Sequence, residues 1–240
     1  KKDLCEGTRL HAHMLERGSL LEKPYIASTL IHMYTSCGEL ERAQQVLEAL
    51  PSRDVFSWSA LISGYSRQGL GVEALESFKK MQSEGFSPDA ITYTCILKAC
   101  GKRVALCKGE QVHNNVMSNG LLEKDVVLGN ALVDMYVKCG VVSKAQKVLD
   151  ELPVRNVISW SAMIAGYTQQ AQAHEALNCF ESMQSEGFTP NPITLSSILK
   201  VCGSTGAVNR GEQIEKDIVN RGLLEKEIVL GNALVHMYAK

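Results

Sequence analysis

Eight cysteines and six histidines are the residues of this chain best suited to holding a metal, and their spacing speaks against it. The nearest cysteine pairs, Cys95 with Cys100 and Cys100 with Cys107, suit helix packing rather than a zinc knuckle. His11, His13, His32, His113, His174 and His236 show no paired ligand spacing. Neither His-x-Glu nor Cys-x-x-Cys occurs, so the pattern that holds zinc and moves a proton in a deaminase is missing. There is no Gly-rich phosphate loop ending in Lys-Ser or Lys-Thr and no Gly-x-Ser-x-Gly elbow. No metal, cofactor or catalytic constellation is therefore expected within these 240 residues. What remains is a different kind of chemistry: polar groups set inside apolar runs, as Asn130 in Leu128-Gly129-Asn130-Ala131-Leu132. Burying such a group is unfavourable unless it faces a groove.

The elements that would position these groups repeat. A shift of 102 residues lays the sequence on itself without a gap: Trp58 on Trp160, Met81 on Met183, Gly85-Phe86 on Gly187-Phe188, Pro88 on Pro190. Gly129-Asn130-Ala131-Leu132-Val133 recurs at 231–235, and Met-Tyr pairs stand at 33–34, 135–136 and 237–238. Each period divides into three weaker copies of one unit, cut at 24–54, 55–89, 90–125, 126–156, 157–191 and 192–227, with partial units at 1–23 and 228–240. In 55–89, Leu61, Ile62 and Tyr65 share one helical face, and Ala74, Leu75, Phe78 and Met81 recur at three and four on a second. Gln68-Gly69-Leu70-Gly71 breaks the pair, and Gly85 with Pro88 ends the second helix. A lone helical hairpin cannot bury both faces, so the units must stack, predicting an all-α solenoid with an extended concave surface. The paired Met-Tyr residues and Trp58 and Trp160 are expected in the packing.

Charge and composition narrow the classes further. With 25 Lys+Arg against 26 Asp+Glu, the net charge of −1 lacks the basic footprint of a protein living on phosphate contacts, so any nucleic-acid binding has to be local and geometric. Cysteines scattered through apolar helical stretches read as reduced core thiols rather than a secreted framework. Nothing approaches 18 consecutive apolar residues, so no membrane span is expected. Lys1-Lys2-Asp3 does not begin an Arg- and Ser-rich targeting segment. The partial end units predict an array that continues beyond this stretch.

The run Val55-Phe56-Ser57-Trp58-Ser59-Ala60-Leu61-Ile62-Ser63-Gly64-Tyr65, followed by Glu73-Ala74-Leu75, Phe78, Met81, Gly85 and Pro88-Asp89, resembles the P-type pentatricopeptide repeat. Lengths of 31, 35 and 36 in fixed order resemble the S, P and L repeats of the plant PLS subfamily. Cys100 and Cys202, and the Gly7–His11 and Gly109–His113 pairs, resemble L-type units, whereas Glu215 replaces the third His. The tetratricopeptide repeat, a peptide-binding solenoid, shares the spacing of Tyr65, Ala74 and Phe78. Its Trp-Leu-Gly spacing fails here, because Gly64 lies six residues after Trp58.

The resemblance implies a right-handed α-solenoid superhelix that reads single-stranded RNA, about one base per repeat. It places base-sandwiching side chains at the second position of each unit: Tyr25, Phe56, Ile91, Val127, Ile158, Ile193 and Val229. It places base reading at the fifth and last positions: Ser28 with Asp54, Ser59 with Asp89, Thr94 with Asp125, Asn130 with Asn156, Ser161 with Asn191, Ser196 with Glu227, and Asn232 in the partial unit. The alternative is that the Ser, Thr and Asn at position five are helix caps and the last-position Asp and Asn are ordinary turn residues. Position thirteen implies phosphate contacts from Arg67, Lys138 and Lys240, but not from Ser36 or Gln169. The subfamily further implies a plastid or mitochondrial location, a role as the specificity part of a C-to-U RNA editing factor, and docking of multiple organellar RNA editing factor proteins at L-type units. A protein-binding scaffold using the same groove is the competing function.

Overall fold

The computed structural model describes residues 2–16, 24–103, 105–123 and 125–240. Among them there are helices and connecting turns but no strand. In chain order the helices are α1 (Lys2–Glu16), α2 (Pro24–Cys37), α3 (Leu40–Ala49), α4 (Val55–Gln68), α5 (Gly71–Ser83), α6 (Ala90–Arg103), α7 (Leu106–Ser118), α8 (Val126–Lys138), α9 (Val142–Glu151), α10 (Val157–Gln169), α11 (Ala173–Ser185), α12 (Pro192–Thr205), α13 (Val208–Asn220) and α14 (Ile228–Tyr238).

The chain divides into two units, Lys1–Leu121 and Leu122–Lys240. In the first, α2 packs on α3 and α4, α4 on α5 and α6, and α6 on α7, while α1 rests on α2. In the second, α8 packs on α9 and α10, α10 on α11 and α12, and α12 on α13 and α14. Within each unit, the first helix of a hairpin thus lies beside the first helix of the next.

Local chemistry sets these boundaries. Asp54 caps α4, its side chain accepting from Ser57 N while Ser57 Oγ accepts from Asp54 N, a reciprocal box that Asn156 and Ser159 repeat at α10. At the other end of α4, Gly69 takes φ +80° and Leu70 N donates to Tyr65 O at 2.9 Å, closing the helix in a left-handed turn. The core falls where the periodicity put it: Leu61, Ile62, Phe78 and Met81 are fully buried. Trp58 and Trp160 are buried too, under Arg53 and Arg155, whose guanidiniums lie 5.9 Å from the indole centroids and pair with Glu84 and Glu186. His11 Nδ1 lies 2.8 Å from Tyr34 Oη, so this His locks α1 to α2. Of the three Met-Tyr pairs, Tyr34, Met135, Tyr136 and Met237 are buried, whereas Tyr238 is half exposed and donates to Glu215 Oε2 at 2.6 Å.

One close approach governs helix spacing in the first unit. A Cβ on Gly64 would stand 2.4 Å from Thr35 Cγ2, so α4 reaches α2 only because this residue has none. Gly166 plays the same part opposite Val137 in the second unit. Among the described residues, no helix is long and apolar enough to cross a membrane.

Candidate functional site

Every first helix presents the same register of side chains. All seven second-position residues are exposed: Tyr25 65%, Phe56 71%, Ile91 62%, Val127 60%, Ile158 64%, Ile193 62% and Val229 58%. A single exposed apolar side chain needs no explanation. Seven of them at one register do, since each leaves apolar area in water that neighbouring helices could have covered.

Positions five, nine and thirteen follow at helical spacing on the same face. At position five, Ser59, Thr94, Ser161 and Ser196 are buried, Ser28 and Asn130 are half-buried, and Asn232 is exposed. Three of these hydroxyls donate back into their own helix: Ser28 Oγ to Tyr25 O at 3.0 Å, Ser161 Oγ to Val157 O at 2.5 Å, and Ser196 Oγ to Ile193 O at 3.0 Å. Asn130 Oδ1 is buried with no hydrogen-bond partner.

The last-position Asp and Asn residues are helix caps, whereas the plainer sequence reading makes them turn residues and gives the caps to position five. Asp54 Oδ1 accepts from Ser57 N at 2.8 Å, and Asp89 Oδ1 from Thr92 N at 2.7 Å. Asp125 Oδ1 accepts from Val127 N and Leu128 N. Asn156 Oδ1 accepts from Ile158 N and Ser159 N, and Asn191 Oδ1 from Thr194 N at 2.9 Å. Glu227, one methylene longer, makes no side-chain cap. Capping does not consume these side chains. With Oδ1 turned to the helix end, each Asp still offers a second acceptor oxygen and each Asn an NH2 donor.

One pair is brought together directly and a second through a bridging threonine. Ser59 Oγ lies 3.2 Å from Asp89 Oδ1, and both meet Thr92 Oγ1, at 2.5 and 2.6 Å. Ser161 Oγ lies 2.7 Å from Thr194 Oγ1, which donates to Asn191 Oδ1 at 3.0 Å. No such contact joins Ser28 to Asp54, Asn130 to Asn156 or Ser196 to Glu227. The fully buried Thr92 and Thr194 were missed in the sequence, although the 102-residue period aligns them.

The electrostatics are one-sided in a way that net charge conceals. Asp134 is the sole acidic residue in the seven first helices, whereas every second helix from α3 to α13 carries at least one Asp or Glu. Arg67, Lys98, Lys102, Lys138 and Lys200 are exposed at positions nine and thirteen, and only Arg67 and Lys138 among these were picked out by sequence. Arg67 Nη2 donates to Thr35 Oγ1 at 3.2 Å, and Lys138 Nζ pairs with Asp134 at 2.6 Å. Lys138 is therefore partly neutralised, whereas no ion pair joins Lys98, Lys102 or Lys200 to an acid among the described residues. In the second unit, Ser196, Lys200, Val229, Asn232, His236 and Lys240 line a cavity of about 570 Å³, so four predicted residues converge there with Lys200 and His236, which were not foreseen as site residues. Among the described residues no cluster of three His, Cys, Asp or Glu side chains is placed to hold a metal ion.

Comparison with known proteins gives a consistent picture. The pattern of the PPR repeat family matches residues 53–102 and 155–204, and that of the PPR repeat matches 25–55 and 130–157. A mitochondrial pentatricopeptide repeat-containing protein of Arabidopsis thaliana is 36% identical over 241 aligned residues, covering 100% of this chain and 37% of that protein. A chloroplastic one from the same plant is 34% identical over 240, covering 100% and 38%. The chain thus spans well under half the length of these relatives. Among solved structures, the maize pentatricopeptide repeat protein PPR10 in complex with an 18-nucleotide psaJ RNA element superposes with a TM-score of 0.67 at 21% identity, covering 95% of this chain and 34% of that one.

Proposed function

Since this chain belongs to the pentatricopeptide repeat family, we propose that it binds single-stranded RNA along the exposed faces of its first helices, about one base per repeat. The observation that carries this reading is the exposed apolar side chain at one register of all seven first helices. Splayed bases need flat or apolar groups to hold their faces and polar groups to read their edges. Here the apolar groups stand one turn from a hydroxyl or amide and from the uncommitted half of a capping Asp or Asn. The basic side chains at positions nine and thirteen, on helices almost free of acid, supply phosphate contacts despite a net charge of −1.

Read in order from 24–54, with the amino-terminal repeat toward the RNA 5′ end, the pairs favour guanine, guanine, no set base, a pyrimidine, adenine, and no set base. The recurring lengths of 31, 35 and 36 residues support assignment to the PLS subfamily. On that assignment the chain is the specificity part of an organellar C-to-U RNA editing factor, with protein partners docking at 90–125 and 192–227. The mitochondrial and chloroplastic relatives support an organellar setting.

A gel-shift of the 240-residue chain with an RNA carrying this order, against a scrambled RNA of equal composition, tests the reading. The matched RNA should bind more tightly by at least tenfold, that is about 1.4 kcal/mol. Equal binding, or none, would leave the groove as a protein-binding scaffold.

A further inference from the structure

The hydroxyl cluster at Ser59, Thr92 and Asp89 has a fixed proton polarity. Three oxygens meet there: Ser59 Oγ and Thr92 Oγ1 are 2.5 Å apart, and each faces Asp89 Oδ1, at 3.2 and 2.6 Å. The two hydroxyls hold one proton each and the carboxylate only accepts. If Thr92 donates to Asp89, Ser59 donates to Thr92. If Thr92 instead donates to Ser59, Ser59 donates to Asp89. In both arrangements the Ser59 proton is committed inside the cluster, and toward the groove Ser59 can only accept. Asp89 Oδ1 is also committed, to Thr92 N at 2.7 Å, which leaves Oδ2 as the second outward acceptor.

We infer that Thr92 is a specificity-positioning residue: it holds Ser59 as a proton acceptor beside Asp89, so that this repeat presents two acceptors to a base. The inference rests on the base-reading proposal above and adds the reason for its polarity. Guanine offers two adjacent donors, N1–H and the N2 amine, on its Watson–Crick edge. Adenine sets a bare N1 acceptor in the same place and is repelled. Thr194 occupies the equivalent place, 2.7 Å from Ser161 Oγ and donating to Asn191 Oδ1 at 3.0 Å. There the outward pair is one acceptor and one NH2 donor, which matches the donor and acceptor of adenine.

The test is Thr92→Val in the 240-residue chain, which removes the hydroxyl and retains shape and the backbone N–H that Asp89 caps. Binding would be measured by fluorescence anisotropy to two RNAs differing only at the nucleotide opposite 55–89, guanine or adenine. Wild type should prefer guanine by roughly tenfold, on the scale known for base-edge readout. T92V leaves the Ser59 proton only the long 3.2 Å contact to Asp89 Oδ1, so that it can turn to adenine N1, and the preference should fall to within about threefold, while Thr92→Ser restores it. A purely structural Thr92 would weaken both RNAs alike and leave the ratio unchanged, and that result overturns the inference while base reading stands. A wild type without preference, unmoved by Asp89→Asn, overturns base reading at this repeat and the inference with it. Thr92→Ala, which adds no bulk, gives the same readout should T92V melt below the assay temperature.

Discussion

Replacing Asp89 by Asn changes one atom of the site and very little of the fold. Asp89 Oδ1 accepts from Thr92 N at 2.7 Å and Thr92 Oγ1 at 2.6 Å, and an Asn Oδ1 can keep both. Asn and Asp are equivalent as N-caps. The loss of a negative charge at the start of α6 removes about 0.3–1 kcal/mol of helix-dipole interaction, a small part of the stability. What changes is the atom turned outward, from acceptor oxygen to NH2 donor. The preference of this repeat should therefore move from guanine toward adenine by about 1–3 kcal/mol, or roughly 5- to 150-fold in the ratio of affinities. Asp89→Ala gives the control: it deletes cap and reader together, costing about 1 kcal/mol of stability and weakening all RNAs without redirecting the choice. Equilibrium titration of wild type and both variants against RNAs differing only at that nucleotide measures the effect, with thermal melts alongside. If Asp89→Asn loses affinity equally for guanine and adenine, Asp89 is a cap and nothing more, and the outward-atom reasoning fails at every capped repeat.

Gly64→Ala places a methyl 2.4 Å from Thr35 Cγ2 and should destabilise the chain by about 1–3 kcal/mol despite the better helix propensity of Ala; the double variant with Thr35→Ala should recover most of it in thermal melts, and no recovery would mean the contact is not the cause. Asp134→Asn removes the single acid of the first helices and frees Lys138, so RNA affinity should rise and the salt dependence steepen by up to about one counterion; an unchanged salt slope would show that Lys138 does not face phosphate. Burial pushes the Cys179 thiol up to about 12, and Cys100 and Cys202 are likewise buried, so in the native protein a maleimide should modify exposed Cys5, Cys37 and Cys107 first; mass spectrometry showing early labelling of Cys179 would contradict the packing.

Much of the fold was legible because repetition exposes it. The 102-residue period and the three-and-four spacing of Leu61, Tyr65, Phe78 and Met81 put helices, turns and core where the structure has them. Gly69 and Gly85 marked breaks because their backbones take φ +80° and +84°, where a Cβ is strained. The second-position residues could be named from the resemblance, but their exposure could not be read from sequence, since Ile91 and Ile193 look like core. Net charge misdirected the reading by summing over helices that the fold separates: acid collects on the second helices, so the few basic side chains of the first helices stand with Asp134 as their single acid. The capping by Asp54, Asp89, Asp125, Asn156 and Asn191 was not foreseen, because the alternative to reading makes them turn residues and gives the caps to position five. Geometry makes the two compatible, because a cap uses one atom of a two-atom head. Thr92 and Thr194 stayed hidden because a buried Thr on a helix reads as packing until its hydroxyl partners are known.

The central claim is that residue pairs along the first helices choose bases in order, and selection from a random pool of single-stranded RNA tests it without presuming the order. After rounds of capture on the 240-residue chain, sequencing should show guanine, guanine, an unconstrained base, a pyrimidine and adenine, 5′ to 3′, as one enriched register. Enrichment of an unrelated motif, or a pool that stays random while RNA is retained, would contradict the account.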